Sequence, residues 1–529
     1  MTGTAATERR GPARMSGAMF PGEHAVTMPN RAAVIRTDTG EVMTYRDLDA
    51  RSNRLAQLLH ARGLRRGDRV GLLMENRLEY FVVMWAAIRS GLTITAINRY
   101  LTPEEAAYVV TDCGAKALVT SRDRAETAIP LAPLIPACAL RLMIDGTEAG
   151  YDSFEEAVAP MPPTALAEEW LGDTMLYSSG TTGRPKGIKR ATVDARIAEA
   201  FPGLDRFLDH GFQRDMIYLS PAPLYHAAPL AFCMATHRFG GTVVLMTRFD
   251  PIEALRAIER HRVTHSQWVP TMFVRMLKLA PAERAGFDLS SHTHAIHAAA
   301  PCPVEVKRQM IEWWGPIITE YYGGTEGNGF TVITSQEALE RPGSVGRANV
   351  GIIRICDDEG TVLPPGQDGL VYFERDTLPF AYHNDPEKTR RAQHPAHPTW
   401  TTLGDIGHLD ADGYLYLTDR KAFMIISGGV NIYPQQIEDT LVTHPKVRDA
   451  AVIGIPNPDL GEEVKAVVEP ADGIEPDQIL ADELTAYLKT RVARYMIPKS
   501  IDFTDALPRL PTGKLYKAAL RDKYRGPAG

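Results

Sequence analysis

Between about residues 44 and 330, short apolar runs alternate with amphipathic stretches of helical period, and this alternation constrains the fold more than any other feature. A strand, a covering helix and a second strand running the same way return the chain to one sheet. The pattern therefore predicts an α/β protein with mostly parallel sheets flanked by helices. Arg69–Met74 reads as a strand, Leu78–Arg89 as a buried helix and Thr93–Asn98 as the next strand. Thr102-Pro103-Glu104-Glu105 opens a helix, with Thr102 as N-cap, Pro103 in the first turn and Glu105 closing a capping box. Lys116–Thr120 follows as a strand. The rhythm recurs in strand Thr242–Met246, a helix from Asp250-Pro251 to His261, strand His265–Val269, helix Pro303–Trp314 and strand Ile317–Tyr322.

From Gly343 to Arg375, β-rich runs separated by Asp-Asp-Glu-Gly, Pro-Pro-Gly and Asp-Gly turns suggest a small antiparallel barrel or sandwich. A third region follows Asp419-Arg420, with a helix near Tyr433–His444, strands Ala450–Ile455 and Val464–Glu469, and a long amphipathic helix from Asp477 to Tyr495. The cut falls near residue 420. It divides the chain into a disordered tail over residues 1–20, a large domain over residues 21–420 and a smaller α+β domain over residues 421–529.

Composition excludes several classes. A net charge of −7 supplies no global basic field for nucleic acid or anionic lipid. The most apolar run, Phe81–Ile88, falls far short of the roughly 20 residues of a membrane span. The N-terminus carries Arg9, Arg10 and Arg14 without an apolar core, so it is no secretory signal. Five cysteines, Cys113, Cys138, Cys233, Cys302 and Cys356, form no CxxC pair, which argues for buried thiols in a reducing cytoplasm.

The densest local signal is Ser178-Ser179-Gly180-Thr181-Thr182-Gly183-Arg184-Pro185-Lys186-Gly187. Glycine lets the backbone turn its N–H groups toward an anion, the hydroxyls add donors, and Arg184 and Lys186 add positive charge. Such a loop cradles phosphates. It is not a Walker A loop, because no Gly-Lys-Ser/Thr tripeptide opens a helix after it. Tyr321-Tyr322-Gly323-Gly324-Thr325-Glu326 lies at the C-terminal end of a strand, where open α/β sheets bind ligands. There the glycines admit a nucleotide, an aromatic ring can stack on a purine, and Thr325 and Glu326 offer the hard oxygens that magnesium takes alongside phosphates. In Leu403-Gly404-Asp405-Ile406-Gly407, Asp405 can accept two hydroxyl protons from a ribose, and Arg420 can reach the ribose or a phosphate. Pro511-Thr512-Gly513-Lys514 places a free ammonium behind a restrained turn.

These four motifs in this order resemble the signatures of the adenylate-forming superfamily, and from Thr44 to Lys517 the chain resembles an acyl-CoA synthetase. The resemblance implies a mobile C-terminal domain, with ATP, Mg²⁺ and CoA as ligands. It implies that Glu326 binds Mg²⁺, that Thr325 contacts phosphate, and that Lys514 reaches the carboxylate and α-phosphate during adenylation. It places Ala298, Ala299 and Ala300 near adenine and Ser427-Gly428-Gly429 on a loop facing CoA. Two departures stand out: Leu403 where the family usually has Thr, and Ala422-Phe423 where the hinge usually has Asp or Lys.

The acyl pocket is expected between the motifs, walled by Tyr225, His226, Ala227, Trp268, Val269, Met272, His297 and Gly324; the resemblance of Leu224–Pro229 to the family's segment implies that His226 abuts substrate or gates entry. The small alanines suggest a roomy apolar pocket for a fatty or aryl acid, and no Lys or Arg is visibly placed for a dicarboxylate. The leading expectation is a carboxylate–CoA ligase releasing AMP and pyrophosphate. The alternative is a stand-alone adenylating enzyme that passes the activated acid, or an activated oxyanion such as nitrite, to a carrier protein or another nucleophile. Homodimerisation is left open.

Overall fold

The computed structural model describes residues 19–178, 185–421, 423–509 and 515–524. The alternation folds into two sheets. One has six strands, all parallel, with Arg69–Leu73, Thr93–Ile97, Ala117–Ser121 and Leu140–Ile144 as its longer members. The other begins with parallel strands, among them Ala32–Arg36, Thr242–Leu245, His265–Trp268, His294–His297 and Ile318–Tyr322.

Helix Leu78–Arg89 is apolar on nearly every side because it is buried on every side. Its Phe81 and Trp85 share one core with Val70 and Ile94 of the first sheet and Val34 and Val243 of the second. Trp85 Nε1 donates to His237 Nδ1 at 3.1 Å. Burial pushes the His237 pKa down to about 3, so the ring is neutral and keeps the lone pair that accepts this bond. Four of the five free cysteines are buried, and Cys302 is half-buried.

Beyond Ile318–Tyr322 the second sheet turns antiparallel through Phe330–Thr334 and Ser344–Val350, then runs on through Leu415–Arg420, Trp400–Leu409, Gly369–Glu374 and Ile352–Cys356. The antiparallel region read from residue 343 onward is thus hydrogen-bonded in continuity with the parallel strands. A small separate sheet pairs Lys186–Arg190 with Leu176–Ser178 and Phe380–Tyr382, and sets Lys186 opposite Ser178.

After residue 420 a five-stranded sheet carries its own core, with Ile437, Val452, Ala466 and Leu484 fully buried. The helix expected from Asp477 to Tyr495 is shorter, spanning Gln478–Lys489 with Asp477 as its cap. The amides of Arg491 and Val492 both return to the Leu488 carbonyl, and Ala493 is extended before a separate turn, Arg494–Met496, buries Met496. At the other end, Met19 is buried and its carbonyl accepts from Arg238 at 3.0 Å, so packing begins before the helix Pro21–Thr27. No described helix is long and apolar enough to cross a membrane.

Gly346 marks the bulge where the antiparallel strands join on. Its φ is +93°, and a Cβ there would stand 2.0 Å from the Val332 carbonyl oxygen. Gly346→Ala is expected to combine left-handed strain with a backbone clash and destabilise the large domain by about 2 kcal/mol or more. Gly40→Ala, at φ +73° in open space, carries the strain alone and is expected to cost about 1 kcal/mol. Urea midpoints of the two variants check this; equal midpoints would contradict it.

Candidate active site

The C-terminal ends of the parallel strands open onto a cavity of about 3050 Å³, several times the roughly 300–1,000 Å³ of a pocket for one small ligand. It extends to the C-terminal domain, where Leu515, Tyr516 and Lys517 line it. Its volume allows more than one substrate at a time.

Asp405 and Arg420 are direct partners across the antiparallel pair Trp400–Leu409 and Leu415–Arg420. Asp405 is 7% exposed. Its Oδ1 accepts from Arg420 Nε at 3.0 Å and its Oδ2 from the Tyr322 hydroxyl at 2.5 Å. The carboxylate raises the Arg420 pKa, and burial together with Asp405 holds the Tyr322 phenol well above its usual range. A carboxylate has about four lone-pair sites, so Asp405 can accept further hydroxyl protons while keeping both partners.

The turn after Tyr322 needs its glycines for space. A Cβ on Gly323 would stand 2.7 Å from the Phe330 ring, and one on Gly324 would stand 2.4 Å from Leu403 Cδ1. The unusual Leu403 therefore packs over this turn. Glu326 is buried, and its Oε1 accepts from the Tyr382 hydroxyl at 3.0 Å. Lys186 Nζ stands 5.0 Å from the Tyr382 ring centroid. Burial, reinforced by repulsion from Lys388, lowers the Lys186 pKa, and Glu326 partly offsets this. Sequence reasoning missed Tyr382 and Lys388, which come from a strand end and a capped turn (Asp385 caps Pro386–Arg391) that carry no motif.

The other expected residues divide. Ser178, Thr325, Ala299 and Ala300 line the cavity, and Ala299 holds a left-handed φ of +79°. Ala298 is buried behind them. Tyr225, His226 and Ala227 also line it, with His226 as the N-cap of helix Ala227–Arg238 and its ring 4.3 Å from that of Tyr225. Val269 and Trp268 reach the lining, although the Trp268 ring packs among Phe249, Phe273 and Trp314. Met272 and His297 stand in the core on that same face and do not line the cavity; His297 packs edge-on to Phe273 at 5.3 Å, and burial keeps its pKa far below the usual value.

Ser427, Gly428 and Gly429 belong to a two-residue hairpin in which Ser427 pairs with Val430 and both glycines have positive φ. The hairpin stands away from the cavity lining. Ser179, Gly180, Thr181, Thr182, Gly183, Arg184, Ala422 and Lys514 lie outside the described residues.

Comparison with known proteins agrees with this geometry. Residues 22–382 match the AMP-binding enzyme family, and residues 436–514 match the AMP-binding enzyme C-terminal domain. A feruloyl-CoA synthase of an Amycolatopsis species is 34% identical over 508 residues, covering 96% of this chain and 98% of its own. A long-chain-fatty-acid–CoA ligase of Mycobacterium tuberculosis is 32% identical over 514 residues, covering 95% and 97%. The structure of o-succinylbenzoate CoA synthetase from Bacillus subtilis, in complex with its acyl-adenylate intermediate, superposes with a TM-score of 0.78 at 26% identity, covering 97% of this chain and all of that one. With both family domains present and curated relatives matched along almost its whole length, the chain belongs to the AMP-binding enzymes, as an adenylate-forming acid ligase of the acyl-CoA synthetase type.

Proposed function

We propose that this enzyme joins a carboxylic acid to CoA in two steps within the one cavity. A carboxylate oxygen attacks the α-phosphorus of ATP, the bond to the β-phosphate oxygen breaks, and pyrophosphate leaves with its electron pair. The CoA sulfur then attacks the acyl carbon of the adenylate, and AMP leaves. The observation that carries this reading is the convergence of the Asp405–Arg420–Tyr322 cluster with Glu326 and Lys186 on a single cavity.

Asp405 accepts the ribose hydroxyls, Arg420 holds the sugar or a phosphate, and the Tyr322 ring backs the purine beside Ala299 and Ala300. Lys186, together with the phosphate loop Ser178–Gly183 that precedes it, receives the phosphate oxygens. A cation held against repulsion from Lys388 gains a partner when those anions arrive. His226 and Tyr225 stand at the acyl side, where His226 acts as a gate.

Among the described residues no group of three His, Cys, Asp or Glu side chains stands ready for a metal. Glu326 alone, with one oxygen tied by Tyr382 and the other against the Gly324 turn, fits magnesium, which takes one or two carboxylates and completes its shell with phosphates and water. Bound there beside Thr325, Mg²⁺ supplies neutralisation of phosphate charge.

Lys514 stabilises the charge that develops as pyrophosphate leaves. The residues flanking it support this: Arg509 bridges to Leu515, and both line the cavity. The Ser427–Gly429 hairpin serves the second step, and because it stands off the cavity, the C-terminal domain must turn about the Ala422 region to bring it in. The free, mostly buried thiols support a reducing compartment such as the cytoplasm.

Pyrophosphate release from Mg·ATP, measured across fatty and aryl acids with and without CoA, tests the reading. Acid-dependent release that multiplies on adding CoA, with acyl-CoA formed, is expected; release indifferent to CoA would point to another acceptor. Lys514→Ala is expected to lower adenylate formation by about 10²–10³-fold or more while sparing thioester formation from a supplied acyl adenylate. Equal loss in both half-reactions would contradict the division of labour between the two domain orientations.

A further inference from the structure

Arg206 is one of the described cations of the cavity wall to which the reaction proposed above gives no task. Arg206, on the short helix Leu204–Asp209, lines the cavity with its guanidinium 4.8 Å from the Phe330 ring centroid and 5.1 Å from that of Phe207. Among the described residues those ring contacts are its interactions; it makes no ion pair and no hydrogen bond. Arg190 repels it, and the Tyr321 phenol, pushed up to about 12 by burial, carries no charge at neutral pH. Of the cavity carboxylates, Glu320 is paired with Lys307, and Asp173 feels Arg190 rather than Arg206. A guanidinium does not discharge by losing its proton, so a desolvated one without a counter-ion is destabilising.

The groups beside it are hydrogen-bond donors. His210, one turn on, is 4% exposed and also lines the cavity. Its ring lies 5.7 Å from that of Tyr321, and its Nδ1 has no partner among the described residues. Burial and the Arg206 charge push its pKa down to about 4, so at neutral pH it is an uncharged imidazole with one N–H to give. The Tyr321 hydroxyl accepts from Gln267 Nε2 at 3.5 Å and keeps its own proton to donate. Arg206, His210, Tyr321 and Gln267 thus face one recess that Phe232 and Phe330 wall with rings.

This recess is not the nucleotide's. Tyr321 and Tyr322 are successive residues of one strand and leave it on opposite faces. Tyr322 turns to Asp405, whereas Tyr321 turns to His210 and Phe232. An apolar vestibule with a cation and neutral donors fits a ligand with an apolar body and an anionic tip.

We propose that the acid activated by this enzyme carries a second carboxylate, remote from the one that reacts, and that Arg206 with His210 receives it. The proposal rests on the adenylation reading and names its substrate class. Folding supplies the cation that sequence spacing did not reveal.

The test compares α,ω-diacids of increasing length, with either aliphatic or aryl bodies, against the monoacids of equal length, following pyrophosphate release without CoA. The wild type is expected to favour a diacid over its matched monoacid by roughly 10–100-fold in kcat/KM, the range of one charge-assisted contact. Arg206→Met should collapse that ratio toward one, chiefly through KM of the diacid; Arg206→Lys should keep part of it, and His210→Gln should reduce it. ATP affinity by calorimetry identifies variants that keep the fold, and either of the latter two carries the test if Arg206→Met does not. A wild type that favours monoacids at every length, or a diacid-to-monoacid ratio unchanged by the variants, would overturn the proposal and leave Arg206 as a brace for the aromatic wall. Release with no acid of either series would remove the adenylation reading itself, a result distinguishable from loss of the diacid preference.

Discussion

The pairing of Asp405 with Arg420 holds the site together. The two residues face each other because the register between two antiparallel strands sets them opposite, and the carboxylate also captures the Tyr322 hydroxyl from the end of the parallel sheet. One buried acid thereby ties the antiparallel extension to the strand that carries the Gly323–Glu326 turn. A shift of one residue in that register would turn every side chain of the strand to the other face. The bulges beside it, at Gly346 and between Ile406 and Gly407, fix the register in place.

Around that cluster the balance of buried charge is informative. Lys186, Lys388 and Arg420 gather near Glu326 and Asp405, and Arg206 stands apart with Arg190. Asp405 is matched to Arg420, and Glu326 only partly relieves Lys186. Lys186, Arg420, Arg190 and Arg206 line the cavity, an arrangement that favours anionic ligands at two distinct places. One is the phosphate side, reached through the Lys186 strand; the other is the aromatic recess. A fold that leaves cations underpaired in a cavity holds them ready for charge that arrives with substrates.

Much of this was legible in the sequence, because the motifs are contiguous runs at strand ends and the helix caps are local. Thr102 and Glu105 close their box as read, and helix Leu78–Arg89 keeps both its bounds. What stayed hidden is set by parity and by distant segments. Trp268 and His297 lie in segments read as pocket wall, yet the Trp268 ring and the whole His297 side chain join the core face while Gln267, one residue away, faces the cavity. Tyr382, Lys388, Arg206 and His210 come from a short strand, short helices and a helix end with no pattern of their own, and only the packing of Phe232, Tyr321 and Phe330 brings the last two to the site.

A double-mutant cycle on ATP affinity, by calorimetry with the wild type, Asp405→Asn, Tyr322→Phe and the double variant, tests most directly whether one buried carboxylate organises the nucleotide seat. Each single change is expected to weaken ATP by about 10-fold or more, and the double variant should be little weaker than Asp405→Asn alone, because Tyr322 acts through that acid. Losses that simply add, or an Asp405→Asn affinity equal to that of the wild type, would contradict the account.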